Sequence, residues 1–321
     1  MQAEMLIGFG RTLAMKRFLF SSALVTTLCM TPAFAEPEIA KYIGGEPQAF
    51  AEPSEAVDVF RKELAAKNVP GLAKLIGLNP DEIGKSDDFD SRLDELQGAA
   101  SERLQIVEDG PDKRIINLGD LIWPFPFPLV KGDDGKWSFD TNAGLEEILD
   151  RRIGENELEA LDTMTNYVVA QTLYHDTDWD EDGVHEYAQT LRSSPGKMDG
   201  LYWPAEEHDG VESPVGPFID EEKALSAKDS PTGYFGYRYR VLTKQGDNIA
   251  GGAYDYVING NMIAGFALIA TPAKYGETGI MTFMISNEGS IYEKDLGEDS
   301  EAAAAKIDTF NPDKDWELVA D

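Results

Sequence analysis

The stretch Gly251 to Gly276, "GGAYDYVINGNMIAGFALIATPAKYG", decides how the second half of the chain is read. An apolar run from Tyr254 to Ile258 meets Asn259-Gly260, the dipeptide best suited to a two-residue hairpin turn. A second run then continues from Met262 to Ala270. Two such runs folded back on one turn are antiparallel strands. Upstream, Tyr237, Tyr239 and Val241 alternate with Arg238, Arg240 and Leu242, giving a strand with one apolar and one mixed face. Downstream, Gly279 to Ile285 reads as a strand, Asn287-Glu288-Gly289 as a turn and Ser290 to Lys294 as the next strand. Everything from Gly233 onward is therefore expected to be an antiparallel meander. Its glycines at 251, 252, 265, 276 and 279 serve backbone geometry; no Lys-Ser/Thr and helix follow them, so no phosphate loop is implied.

Working back from the meander, Gly144 to His175 has helical spacing. Ile153-Gly154 is expected to break it, and Leu158, Leu161, Met164 and Val168 then recur on one face with Tyr167 and Tyr174 alongside, a stripe read as core. Before that lie three shorter helices. Ser54 is expected to cap the first, which buries Val57, Phe60 and Leu64; the second runs from Gly71 to Ile76 and the third from Asp90 to Leu104. Strands follow at Leu104–Glu108, Lys113–Leu118, Phe127–Lys131 and Lys136–Phe139, with turn signals at Glu108-Asp109-Gly110-Pro111 and Gly132-Asp133-Asp134-Gly135 between them. The fold class expected is α+β. Residues 54–143 form an N-terminal lobe of helices and a curled sheet. Residues 144–321 hold the long helix, an acidic loop and the C-terminal antiparallel sheet lobe. Residues 36–53, with several Pro, Gly and Ala and no periodicity, read as a linker.

The first 35 residues read as an export signal. Met15-Lys16-Arg17 is a positive start, Phe18 to Met30 is largely apolar, and Ala33-Phe34-Ala35 is the small-x-small pattern accepted by signal peptidase. Met15 begins the better signal, so residues 1–14 are expected to be an over-extended start. The apolar run is too short for a membrane span and gives way at once to Glu36-Pro37-Glu38. The expected location is periplasmic or secreted, with cleavage after Ala35 and no membrane span in the mature form. A formal charge of −31 repels nucleic acid and anionic membrane and attracts cations. Cys29 is the only cysteine, and Leu28 stands where lipid attachment requires a small residue. A cleaved chain would have no disulfide, leaving stability to the core, to bound ions or to a partner.

The acidic loop "DWDEDGVHEY", Asp178 to Tyr187, is the one pointed motif. Calcium loops place oxygen ligands at alternate positions around a glycine bend. Asp178, Asp180 and Asp182 fill the first, third and fifth places, Gly183 the sixth, and the Val184 carbonyl the seventh. The usual bidentate Glu at the twelfth place is replaced by Gln189, and Glu186 at the ninth is the natural substitute. Asp176 adds outer charge. A bound Ca2+ would remove the repulsion among these carboxylates. The alternative is a solvated turn in a chain with 59 acids. Oxygen-only ligands disfavour zinc, and His175 and His185 alone do not make a site.

Catalytic residues are expected to be none. No cysteine nucleophile remains after cleavage, no serine sits in a nucleophile elbow, and His208 in "EEHDG" reads as a surface histidine. Two aromatic clusters remain as candidate binding platforms for a glycan or peptide: Trp123, Phe125 and Phe127, stiffened by three prolines, and Tyr202-Trp203. The alternative is lobe-to-lobe packing.

Several long runs carry a resemblance: "WPFPFPLVKG" (123–132), "FDTNAGLEEIL" (139–149), "RRIGENELEAL" (151–161), "DGLYWP" (199–204), "GYFGYRYRVLTKQG" (233–246), the opening stretch, and "TGIMTFMISNEGSIYEKDLG" (278–297). In this order they resemble the exported bacterial proteins of domain-of-unknown-function family 2950, which implies no particular activity. The order of helix, "GFALIATPAKYGETG" and "NEGSIY" is similar to the soluble heads of type IV pilin-like proteins, with a cleavable signal in place of their long assembly helix. The first lobe, with "GKWSFD", resembles the helix-then-sheet order of nuclear transport factor 2-like and cystatin-like folds. The function expected is binding or assembly at the cell envelope, with another exported protein as partner and the calcium loop as a structural element. A carboxylate-dependent hydrolase of envelope glycans or peptides is the alternative.

Overall fold

A computed structural model describes residues 39–85, 89–227 and 230–320. The expected export signal, its cleavage site and the first residues of the expected linker lie outside them. No helix among the described residues is long and apolar enough to cross a membrane. The fold is α+β. The chain divides into two compact units between Arg152 and Ile153.

Among the described residues from Pro53 onward, the first unit has the helices α1 (Pro53–Ala65), α2 (Val69–Ile76), α3 (Pro80–Ile83) and α4 (Phe89–Glu102). Helix α1 starts before Ser54, the expected cap, because Pro53 presets the first turn and the Glu55 carboxylate accepts the Ala51 and Glu52 N–H groups at 3.1 and 3.4 Å. Its Ala56, Val57, Phe60 and Leu64 are buried at helical spacing. Helix α2 starts two residues earlier than expected. The Asn68 side chain caps it by accepting the Gly71 N–H, and Pro70 occupies its first turn.

A five-stranded antiparallel sheet follows, made of β1 (Leu104–Glu108), β2 (Lys113–Leu118), β3 (Trp123–Pro124), β4 (Leu129–Lys131) and β5 (Trp137–Phe139). The path runs β1-β2-β4-β5, with β3 also pairing with β2. Phe60, Phe125, Phe127 and Phe139 fill the space between helices and sheet, with Phe60–Phe125 and Phe125–Phe127 centroids 4.8 and 5.5 Å apart. The segment expected as a linker is packed from residue 39 onward. Tyr42 and Phe50 are buried, and Phe50 and Trp137 exchange backbone hydrogen bonds of 2.8 Å. Isolated bridges leave no periodicity in a sequence, which is why this segment read as unstructured.

Helix α5 (Thr141–His175) begins in the first unit and ends in the second. Asp140 caps it by accepting the Ala143 N–H at 3.1 Å, and the buried Thr141 hydroxyl donates to the Ile76 carbonyl at 2.6 Å. Leu145 and Ile148 belong to the first core, so the unit boundary falls inside the helix, later than the expected 143/144. Gly144 lies against Phe127: a Cβ there would sit 1.9 Å from the ring. The expected break at Ile153-Gly154 is absent. A mid-helix glycine costs only about 1 kcal/mol, which the buried Ile153 beside it and the rest of the helix outweigh. The buried stripe also differs from expectation. Ala160, Met164, Tyr167, Ala170 and Tyr174 face the second core, whereas Leu158 is 66% exposed. Alanines mark the places of close approach, a signal that a search for large apolar side chains passes over.

In the second unit a short helix α6 (Glu221–Ser226) precedes the strands β6 (Tyr237–Leu242), β7 (Lys244–Gln245), β8 (Tyr254–Asp255), β9 (Val257–Ile258), β10 (Asn261–Met262), β11 (Ala267–Pro272), β12 (Met281–Ser286) and β13 (Ile291–Asp295). Helix α7 (Ser300–Ala304) and strand β14 (Glu317–Leu318) close the chain. The main sheet has the order β14-β13-β12-β11-β6, all antiparallel. All six residues of β11 are buried, and α7 packs against this strand. Strands β9 and β10 pair across the expected hairpin, with Asn259 and Gly260 at φ +55° and +101°. The expected strand Met262–Ala270 is interrupted: pairing stops at Met262 and resumes at Ala267, with Gly265 at φ +144° between.

Candidate metal centre

Residues 178–186 leave the C-terminal end of α5 and reach β10, where Tyr187 bridges Met262. Asp178, Asp180 and Asp182 each offer one carboxylate oxygen, and these oxygens all lie within 4.8 Å of one another. Their spacing is set by the loop's own hydrogen bonds. Asp178 Oδ2 accepts the Gly183 N–H at 2.9 Å, and Asp182 Oδ1 accepts the Val184 N–H at 2.8 Å. Glu181 and Gly183 have positive φ, +59° and +90°, which turns the backbone tightly enough to bring alternate side chains together. Asp178 Oδ1 is shut off from solvent and has no hydrogen-bond partner.

Neighbouring segments hold the loop. Asn261 Nδ2 donates to Asp182 Oδ2 at 2.9 Å, and Gln189 Nε2 donates to the Gly260 carbonyl at 2.6 Å. His185 Nδ1 lies 2.8 Å from the His175 carbonyl and donates there as the Nδ1–H tautomer. Trp179 folds back, its indole N–H donating to the Tyr174 carbonyl and its ring meeting Trp203 edge-on at 4.8 Å.

Glu186 stands apart from the three aspartates. Its Oε2 accepts the Met262 N–H at 3.1 Å. Burial pushes its carboxyl above the usual value; the Met262 hydrogen bond opposes this, and Asp180 and Asp182 reinforce the rise. Of the five expected ligands the fold thus gathers three side chains and ties the fourth, Glu186, to β10. The fifth, Val184, turns its N–H toward Asp182. No signal in the sequence marks the contacts from Asn261 and Gln189 to this loop and hairpin. The Asn-Gly turn was visible, but nothing in local spacing says that it meets a loop 79 residues upstream.

The aromatic candidates do not form open platforms. Phe125 and Phe127 are buried in the first core, and Tyr202 and Trp203 are buried within the second unit. Trp123 is half-buried, with the Arg151 guanidinium 5.0 Å from its ring. Trp203 donates its indole N–H to the Val211 carbonyl at 2.9 Å, and the Tyr202 hydroxyl donates to Glu221. Each cluster packs inside its own unit, because large rings there bury more apolar area than any other side chain available. His208, read as a surface residue, is partly buried with its ring edge-on to Trp203 and its Nε2 without a partner.

Comparison with curated proteins and with solved structures gives no match. Residues 47–319 match the family described as protein of unknown function (DUF2950). That region takes in both units and the acidic loop, and the chain belongs to this family.

Proposed function

We propose that the acidic loop binds one calcium ion within an exported, envelope-associated binding or assembly protein. The observation that carries the metal reading is the convergence of three alternating aspartate oxygens within 4.8 Å around a glycine bend. Three carboxylates at this distance repel one another, and a hard divalent cation reverses the sign of that interaction. The partnerless Asp178 Oδ1 supports the same reading, since a buried carboxylate oxygen without a donor is costly. The Val184 carbonyl and Glu186, a fourth carboxylate whose Oε2 already accepts the Met262 N–H, would have to turn toward the ion to complete the ligand set. An affinity on the order of 0.1–1 mM is that of extracellular calcium modules. Export rests on the leader-like residues 1–35, and assembly on the pilin-head-like order of long helix and antiparallel sheet.

Thermal melts of the full chain test the metal reading. Calcium at millimolar concentration should raise the melting temperature relative to chelator, and the double variant Asp180→Ala, Asp182→Ala should lose that rise. Identical melts of the unaltered protein in calcium and in chelator would remove the site. Fractionation of producing cells with mass spectrometry of the mature N-terminus tests export: a chain beginning at Glu36 is expected, and retention of residues 1–35 overturns it.

A further inference from the structure

The second unit holds a cavity of about 460 Å3 between α5, β6 and the segment around α6. Small-molecule sites run from roughly 300 to 1,000 Å3, so the volume suits a ligand of modest size. Five tyrosines line it, and the state of their hydroxyls is informative. Tyr167 donates to the Ala267 carbonyl, Tyr202 to Glu221 and Tyr237 to the Met281 carbonyl, while Tyr234 accepts the Asp220 N–H. The fifth, Tyr239, has its hydroxyl fully buried beside the Thr163 side chain. Asn166, one helical turn beyond Thr163, also lines the cavity, and among the described residues its side-chain amide has no partner.

The charge of the lining runs against that of the chain. Acids outnumber bases 59 to 28 overall, yet the described residues lining this cavity include Arg192 and Arg238 and no carboxylate. Arg238 is engaged: it donates to the Ser230 carbonyl at 3.2 Å and pairs with Glu301 at 4.0 Å. Arg192 is exposed, and among the described residues its guanidinium forms no hydrogen bond and no ion pair; it lies near the Tyr202 hydroxyl, on which the Glu221 and Glu206 carboxylates also act. An unpaired arginine in so acidic a protein is available to a carboxylate from outside. The remaining surface is mostly aromatic and aliphatic, which suits an apolar body.

We propose that this cavity binds a monocarboxylate with an apolar body, its carboxylate taken by Arg192 and its hydrocarbon part lying among the tyrosine rings. Asn166 adds a hydrogen-bonding amide to the lining. This site names a ligand class for the binding role and stands independently of the acidic loop.

Calorimetric titration of the full chain with dodecanoate and with dodecanol, each in calcium and in chelator, tests it. Dodecanoate should bind under both conditions and more tightly than dodecanol. Arg192→Gln, on an exposed side chain, should weaken dodecanoate about tenfold, the loss of one charge-assisted hydrogen bond, and leave dodecanol unchanged. Ala224→Trp, which fills the cavity, should abolish binding of both. Absence of dodecanoate binding, equal affinity for the two probes, or an Arg192→Gln variant that binds dodecanoate unchanged would each overturn the proposal. Binding that disappears only with chelator would assign the carboxylate to a bound cation and overturn it as well.

Discussion

Gln171 and Ala188 exchange a pair of hydrogen bonds: the Gln171 amide donates to the Ala188 carbonyl and accepts the Ala188 N–H, each at 2.8 Å. Gln171 is fully buried, and its Nε2 is also 2.9 Å from the Tyr167 hydroxyl. A side chain on α5 thus does for Ala188 what a neighbouring strand would do. It closes the chain segment that carries the acidic loop through hydrogen bonds of the protein's own.

Gln171→Leu should destabilise the second unit, because the N–H and carbonyl of the buried Ala188 would both lose their partner. Each unsatisfied group costs about 1–3 kcal/mol. The midpoint of urea unfolding should fall with the slope unchanged. A midpoint equal to that of the unaltered protein would show that the clamp contributes nothing.

Asp178→Asn should change sign with conditions. In chelator it removes one of three crowded charges and should leave the melting temperature the same or higher. In calcium it should melt below the unaltered protein, having lost a ligand. A variant that melts lower than the unaltered protein in both conditions by the same amount would indicate a purely structural Asp178.

Glu293, on β13, is half-buried, and burial first, then Glu157 and the Glu317 opposite it on β14, push its carboxyl above the usual value. A raised carboxyl binds its proton more tightly in the folded state. Its stabilising contribution is present below the ordinary carboxylate range and is lost as pH rises through the folded value. Glu293→Gln should therefore raise the melting temperature near neutral pH and confer little at about pH 4, close to the ordinary carboxylate value. Melts across this range should show the gain growing with pH; a gain that shrinks toward neutrality would contradict the assignment.

Gly260→Ala should cost about 1–2 kcal/mol, the usual penalty for an L-residue in left-handed backbone. Nothing lies within 4 Å of the added Cβ, so strain alone accounts for the loss. Equilibrium unfolding measures it. An unchanged stability would mean that the hairpin turn relaxes freely.

Much of this architecture could be read from the chain in advance where the signal is local. Strands β1 and β2 have the expected bounds because Gly and Pro turns flank runs of β-branched and aliphatic residues. The Asn259-Gly260 hairpin and the alternation of aspartates around Gly183 were visible for the same reason. What stayed hidden depends on partners distant in sequence. Phe50 reaches the sheet through a single bridge, β11 is buried because α7 lies against it, and the tyrosines of the cavity come from α5, β6 and two loops. Gly154 misled because composition alone weighs a glycine as a stop, whereas the helix around it decides.

The approach of Gly144 to the Phe127 ring restricts which sequences can share this fold. A family member with any side chain at 144 must carry something much smaller than phenylalanine at 127, so the two positions should change together across relatives, a correlation that an alignment can display without any experiment on this chain.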